Sequence, residues 1–266
     1  MSASGALHGT NESEKEMKQK VILHIPHAST AIPESEGFVV NDDFLKKEIL
    51  KLTDWYTDDL FHSDRDEMIA ATFSRIFCDP ERFPDDAQEV MAAQGMGVLY
   101  EKSDCGQVIR NVAPELRERV LERYYAIHHR RLSEAVKSQL NIFGKAIIID
   151  CHSFPSRPLN RDLDKTMPRP AFNIGTDPVH TPKYLEEAAV SFFTERGYDV
   201  GVNWPYSGSL VPMEYYGIEP NVQSIMLEIN RSLYMDEPTG TRSEGYAGIK
   251  QVTGAFIGMI GNLLRG

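Results

Sequence analysis

"AIIIDCHSFPSRP", residues 146–158, runs four apolar residues into an acid, a thiol, an imidazole and a hydroxyl. Ala146 to Ile149 read as a strand apolar on both faces, the pattern of a parallel sheet covered by helices. Ser153, Pro155, Ser156 and Pro158 then predict a loop. In open α/β sheets, ligands sit outside the carboxyl ends of strands, so Asp150, Cys151 and His152 stand where chemistry is expected. A polar strand end that simply begins a loop looks the same. The other strand ends decide between the two readings.

Outward from this stretch, apolar runs predict further strands at 21–25, 72–78, 171–174, 200–202 and 224–229. Between them lie helical patterns. Residues 43–52 and 55–61 form an expected helix pair, with Thr53 able to cap the second. Pro114 suits the first turn of a long helix to about residue 140, on which Leu116, Val120, Tyr124, Leu132, Val136 and Leu140 recur at near-fourfold spacing. The helix expected at 184–196 stops at Gly197, and another closes the chain at 247–264. Alternating strands and helices predict a three-layer αβα sandwich with a mixed, largely parallel central sheet. Long polar insertions at 80–110 and 155–170 are the expected rims of a site.

The chain has 266 residues, enough for one large α/β domain, expected at 19–266 after a disordered polar tail at 1–18. Lys plus Arg is 28 and Asp plus Glu is 39, a net charge of −11. That balance argues against a nucleic-acid partner, which a basic stripe would announce. An anionic substrate is compatible with it, because local basic residues matter more there. Cys78, Cys105 and Cys151 are an odd number without paired spacing, which points to free thiols in a reducing compartment. Neither a signal-peptide core nor a run of about 18 apolar residues is present, so the expected location is cytoplasmic, away from the membrane.

The first strand, in "VILHIPHAST" (21–30), also ends in an imidazole. His24 lies inside the strand as a candidate hydrogen-bonded core residue, and His27 follows Pro26 at its terminus. His27 and His152 supply two neutral imidazoles, the usual start of a zinc site. Catalytic zinc wants a third protein ligand. Asp54, in "LTDWYTDDLF" (52–61), is a candidate, and equally a carboxylate favouring a helix N-terminus. Glu228 sits in an apolar strand, a costly place for a carboxylate unless it is paired or used, and beside a metal it suits a general base. Arg231 follows it and suits an anion. Arg75 and Arg82, in "FSRIFCDPERFPDD" (73–86), are candidates to grip an acidic substrate bidentately, or to pair with Asp79 or another acid. Of the mid-helix pair His128 and His129, at most one is expected to reach the site; His129 shares a face with Tyr125, Leu132 and Val136. Asn203, in "NWPYSGSLVP" (203–212), marks a substrate loop or an ordinary turn.

Taken in order, "HIPHAST", "TDWYTDDLF", "SRIFCDPERFPDD", "YYAIHHRRL", "IIDCHSFP", "NWPYSGSLVP" and "LEINRSLYMDE" resemble the N-formylglutamate amidohydrolase family, from about residue 21 to residue 237. The resemblance implies a zinc-exopeptidase-like fold, similar to the zinc carboxypeptidases and their desuccinylase relatives. It implies a zinc-dependent hydrolase of a linear amide, cleaving N-formyl-L-glutamate to formate and L-glutamate, a last step of one histidine-degradation route. A related zinc hydrolase of another acylated amino acid or small peptide is the alternative, and a non-enzymatic binding protein on this fold a further one. Carried onto this sequence, His27 and His152 resemble the zinc imidazoles and Glu228 the catalytic carboxylate, while Arg75, Arg82, Asn203 and Arg231 fall at substrate contacts. One zinc, or another divalent metal, is implied per chain. Zinc carboxypeptidases carry a Glu three residues after the first His, where this chain has Thr30. Asp54 is then the expected replacement, with Glu34 as the alternative. Ser207-Gly208-Ser209 and "CDPERF" also depart from the family pattern.

Overall fold

A computed structural model describes residues 18–265. Most of the expected polar tail, residues 1–17, lies outside the described residues. The chain opens with β1 (Ile22–Ile25), α1 (Asp42–Leu52), α2 (Thr57–Leu60) and β2 (Glu67–Ala70). After the first long insertion come α3 (Pro114–Val120), α4 (Ala126–Phe143) and β3 (Ala146–Phe154). The second insertion leads to β4 (Phe172–Gly175), α5 (Lys183–Thr194), β5 (Val200–Val202) and β6 (Val222–Asn230). A small hairpin, β7 (Met235–Asp236) and β8 (Thr241–Arg242), precedes α6 (Tyr246–Arg265).

Six strands form one sheet in the order β2-β1-β3-β6-β4-β5. Every neighbouring pair is parallel except β4 with β6, so the sheet is mixed and largely parallel. The nine residues of β3 and the nine of β6 are buried throughout, as central strands covered on both faces must be. Side-chain alternation then sorts the layers. Leu23, Ile149, Ile225 and Leu227 pack with Phe193 of α5 and Phe256 and Ile260 of α6. Ile22, Ile148 and Val222 turn the other way, onto Leu132 and Val136 of α4. This is a three-layer sandwich. Among the described residues no helix is long and apolar enough to cross a membrane.

Four expectations change. The strand expected at 72–78 is a knot of turns, closed by Ser74 N–H on Ala31 O at 2.8 Å and by Phe77 N–H on Ser74 O at 2.9 Å. Phe73, Phe77 and Cys78 bury against Val120 and Leu116 of α3, so tertiary packing, not a sheet, absorbs their apolar surface. The edge strand is Glu67–Ala70 instead. Thr53 does not cap α2, which starts only at Thr57 after Tyr56 in a left-handed turn (φ 65°). The long helix expected from Pro114 is continuous but holds a π turn at Leu121–Tyr125 between α3 and α4. Finally, β3 does not stop at Ile149. Its pairing with β6 continues to Phe154, which carries His152 and Ser153 into the ladder.

Candidate active site

Parallel pairing points the carboxyl ends of β1, β3 and β6 to one edge of the sheet. The register sets His24 beside Asp150 and His152 beside Glu228. By alternation His24, Asp150, His152 and Glu228 share the sheet face that packs on α4. His27 extends from the end of β1 past Pro26. Its carbonyl accepts the backbone N–H of Asp54 at 3.0 Å, which seats the turn after α1 beside the strand end. Asn41 caps the start of α1 by accepting from Phe44 N–H at 2.9 Å, and extended backbone at Thr53 ends the helix at Leu52, two residues before Asp54.

The imidazoles and carboxylates interlock. Asp54 Oδ2 lies 3.1 Å from His152 Nδ1 and 3.6 Å from His27 Nδ1. The opposite ring nitrogens have other carboxylates: His27 Nε2 is 2.8 Å from Asp79 Oδ1. His152 Nε2 is 3.0 Å from Glu81 Oε1 and 3.2 Å from Asp150 Oδ1. Glu81 Oε2 also lies 3.7 Å from His27 Nε2. All except Glu81 are buried. Asp150 further holds His24 Nδ1 at 2.7 Å and the N–H of Leu210 at 3.0 Å.

The electrostatics follow from this crowding. Burial and Arg75 oppose a charge on His27, but Asp79, Glu81 and Asp54 outweigh them and its pKa is raised. His152 is likewise raised well above 6.5: burial opposes its charge, and Glu81, Asp150 and Asp54 override it. Burial disfavours ionised Asp54, yet its bonds to His152 and His27 and the charge of Arg231 hold it far below the usual carboxylate range. Glu228 differs. Burial pushes its carboxyl up to about 8, against the pull of His152 and Arg231, and its Oε2 is buried without a hydrogen-bond partner. Four carboxylates around two imidazoles form a nest that favours a cation.

The arginines divide. Arg231 is buried and committed to the protein: it donates to Asp54 Oδ1 at 2.8 Å, Lys51 O at 2.7 Å, and Ser153 Oγ and O at 3.2 and 3.1 Å. It is therefore a holder of Asp54 and not the open anion contact that the sequence suggested. Arg75 donates from Nε and Nη2 to Asp79 Oδ2 and from Nε to Tyr100 Oη, leaving Nη1 3.9 Å from Asp54 Oδ1. Its side chain keeps 18% exposure and can reach a ligand. Arg82 makes only long approaches, 3.7 Å to Asp79 and 3.6 Å to Glu89. Asn203 is exposed, has φ 53° and ties its side-chain amide to Thr176, at 2.9 and 2.7 Å. It is a turn residue. The β4 residue beside Glu228 is Asn173, which accepts from Trp204 N–H and donates to Tyr206 O.

Glu34, the alternative third ligand, stands apart from the imidazoles and accepts from Arg119 Nε and Tyr124 Oη. His128, not His129, approaches the strand-end network, with Nε2 2.9 Å from His24 Nε2. His129 stacks near Tyr125 and binds Pro80 O at 2.8 Å, so it anchors the turn that carries Glu81. Sequence reasoning missed Glu81 and the bond between Asp79 and His27. The signal available was the pair of acids flanking Pro80, a rigid turn presenting both carboxylates to one side.

Fold and cluster together describe an α/β enzyme whose candidate site is a histidine–carboxylate nest at the carboxyl edge of a largely parallel sheet. The model of the N-formylglutamate amidohydrolase family matches residues 19–235, and the chain belongs to that family. It is 26% identical over 231 residues to an N-formylglutamate deformylase of Pseudomonas putida, with 82% of each chain covered. Among solved structures it resembles an N-formylglutamate amidohydrolase from Ralstonia eutropha JMP134, with a TM-score of 0.83, 25% identity and coverage of 94% of this chain and 96% of that one. An Agrobacterium tumefaciens gene product shares the fold at a TM-score of 0.60 and 17% identity, over 91% and 92% of the two chains.

Proposed function

We propose that this chain is a metal-dependent amidohydrolase that cleaves N-formyl-L-glutamate to formate and L-glutamate, in the cytoplasm, as a last step of one histidine-degradation route. The observation that carries the reading is the convergence of His27, Asp54 and His152 beside the unpartnered Glu228. Two imidazoles and a carboxylate are a donor set that suits a divalent cation. His27 Nδ1 is buried and without a hydrogen-bond partner, and it faces Asp54. Ligands about 2.0–2.2 Å from a tetrahedral zinc lie roughly 3.3–3.5 Å apart. Asp54 Oδ2 lies 3.1 and 3.6 Å from the two Nδ1 atoms, near that spacing, although among the described residues it is Glu81, not Asp54, that joins His27 and His152 with all ligand atoms within 4.8 Å of one another. On this side each imidazole has its other nitrogen against a carboxylate, the arrangement that fixes the tautomer of a metal-ligating histidine.

Glu81 competes for the third position. With His27 and His152 it forms a group whose candidate ligand atoms lie within 4.8 Å of one another. We favour Asp54, because it is buried and held by Arg231 whereas Glu81 is partly exposed. When bound, zinc supplies Lewis acidity to an attacking water and to the formyl carbonyl, and its charge draws down the pKa of neighbouring acids. The chain's own residues do the rest. Glu228 takes the proton of the attacking water and returns it to the leaving nitrogen, work suited to a carboxyl with raised proton affinity. Arg75 Nη1 serves the developing oxyanion or the α-carboxylate, and Arg82 adds charge to the same rim.

Elemental analysis joined to an N-formylglutamate hydrolysis assay tests the reading. The expected result is about one zinc per chain, by catalytic stoichiometry. Asp54→Asn should lose both metal and activity, and Glu81→Gln should keep the metal. Metal lost from Glu81→Gln and kept by Asp54→Asn would move the third ligand to Glu81. A metal-loaded enzyme inert toward N-formylglutamate but active on another N-acyl amino acid would replace the substrate.

A further inference from the structure

Asp54 and Asp79 have arginine partners, Arg231 at 2.8 Å and Arg75 at 3.0 Å. Glu81 and Asp150 have none among the described residues. Their ion-pair partners are imidazoles: His24, His27 and His152 for Glu81, and His24 and His152 for Asp150. Neutral imidazoles would leave both carboxylate charges uncompensated, which is costly where water is excluded. His24 and Asp150 are buried, whereas the Glu81 side chain keeps 19% exposure and opens the group to solvent.

The ligand atoms of His24, Glu81 and Asp150 lie within 4.8 Å of one another. His24 Nδ1 is 2.7 Å from Asp150 Oδ1 and 3.7 Å from Glu81 Oε1. An ion about 2.0–2.2 Å from each ligand sets neighbouring ligands roughly 2.8–3.6 Å apart, from octahedral to tetrahedral angles. The two separations stand close to the ends of that range. The imidazole and Asp150 are also held from behind. His24 Nε2 faces His128 Nε2 at 2.9 Å, and two ring nitrogens so placed share one proton. With that proton on His24 Nε2, donated to His128, Nδ1 is bare and able to ligate, the tautomer that an acceptor behind a metal-binding histidine fixes. Asp150 Oδ2 accepts the Leu210 N–H at 3.0 Å, which leaves Oδ1 for His24. The cleavage described above uses neither His24 nor His128.

We propose that His24 Nδ1, Asp150 Oδ1 and Glu81 Oε1 form a second divalent-cation site, which shares no ligand with the His27–Asp54–His152 site. One imidazole and two carboxylates suit Mn²⁺, Co²⁺ or Zn²⁺. His152 stands between the two sites: Nδ1 faces Asp54, and Nε2 faces Glu81 and Asp150 at 3.0 and 3.2 Å. A cation on the Nε2 side neutralises the two uncompensated carboxylates, which would otherwise repel an anionic substrate. The site goes beyond the amidohydrolase reading and does not depend on which substrate is cleaved.

The test titrates zinc-loaded protein with Mn²⁺, counting free Mn²⁺ by electron paramagnetic resonance and retained zinc by elemental analysis. The wild type should take up about one Mn²⁺ per chain, one ion for one three-ligand group, and keep its zinc. His128→Leu removes only the partner behind His24 and should weaken that uptake roughly 10- to 100-fold. His24→Gln and Glu81→Gln should weaken it further, with zinc content and the melting temperature of the metal-free protein near wild type. If His24→Gln does not fold, Glu81→Gln, on a partly exposed turn, carries the comparison. No saturable uptake by the wild type, uptake that displaces zinc mole for mole, or equal uptake by the wild type and the folded variants would each overturn the site. A wild type that takes up Mn²⁺ as expected but leaves N-formylglutamate intact would overturn the substrate reading and leave the second site standing. Uptake of Mn²⁺ that His24→Gln abolishes, in a protein that holds no zinc, would overturn the first metal site alone.

Discussion

Burial raises the carboxyls of Asp54, Asp79, Asp150 and Glu228 alike, but imidazole and arginine partners pull the three aspartates low, whereas Glu228 stays raised and keeps a buried oxygen without a partner. A purely structural carboxylate would be paired. Glu228→Gln keeps the shape but cannot take the proton, so turnover should fall about 10²–10⁴-fold, while zinc content and melting temperature stay near wild type. Substantial turnover by a stable, zinc-loaded Gln variant would remove Glu228 from the mechanism. At this scale much was legible in the sequence. His27 and His152 stood out because imidazoles ended apolar runs, and Glu228 because a carboxylate inside an apolar strand needs a reason; Asp54 entered only as a helix-start acid and as the replacement for the Glu that Thr30 displaces. Arg231 was expected to meet a substrate anion, but in the fold it is committed to Asp54 of the same chain, and one sequence cannot say from which side a carboxylate comes. Glu81 and Asp79 gave little sign of themselves because a turn has no periodicity to be broken.

Asp59 of α2 shows how elements are tied together beyond the core. It accepts from Lys250 and Tyr246 of α6 and from Arg242 of β8. The bonds from Lys250 and Tyr246 lower its pKa from the ordinary 3.8. A depressed folded-state pKa contributes stability that is present above the unfolded value and is lost as pH falls through the folded one. Asp59→Asn should therefore lower stability at pH 7, by about 1 kcal/mol or less because the carboxylate is over a third solvent-exposed with solvated partners, and the deficit should begin to shrink below about pH 4 and vanish once the pH is under the folded-state pKa. Denaturant melts of both proteins at the two pH values measure it, and a deficit unchanged in acid would assign the loss to packing. The helices and central strands were readable because their periodicity is long. The 72–78 segment was not, since a short apolar run buries equally well as a strand or as turns packed under a helix. The π turn at Leu121–Tyr125 left no mark either, because one wide turn hardly disturbs a fourfold apolar spacing.

The whole molecule carries a net charge of −11, and the proposed substrate carries two carboxylates. Their long-range repulsion is screened beyond about 8–10 Å at physiological ionic strength, whereas contacts inside the cleft are screened less. kcat/KM for N-formylglutamate should therefore rise as salt goes from about 10 to 150 mM. The rise should be shallower for N-formylglutamine, which has one charge fewer. A fall with salt would show that the local arginines govern the encounter. The pairing of β3 with β6 has another consequence. His152 and Glu228 are direct neighbours across that pair, and adjacent strands lie about 4.8 Å apart whatever their side chains are. The sheet is thus a gauge block: the spacing of the two backbones that carry imidazole and carboxylate is set by the ladder, and no side-chain substitution resets it. Divergence toward other acyl groups would have to be worked in the replaceable walls, the insertions at 80–110 and 155–170, while the jaw spacing stayed the same.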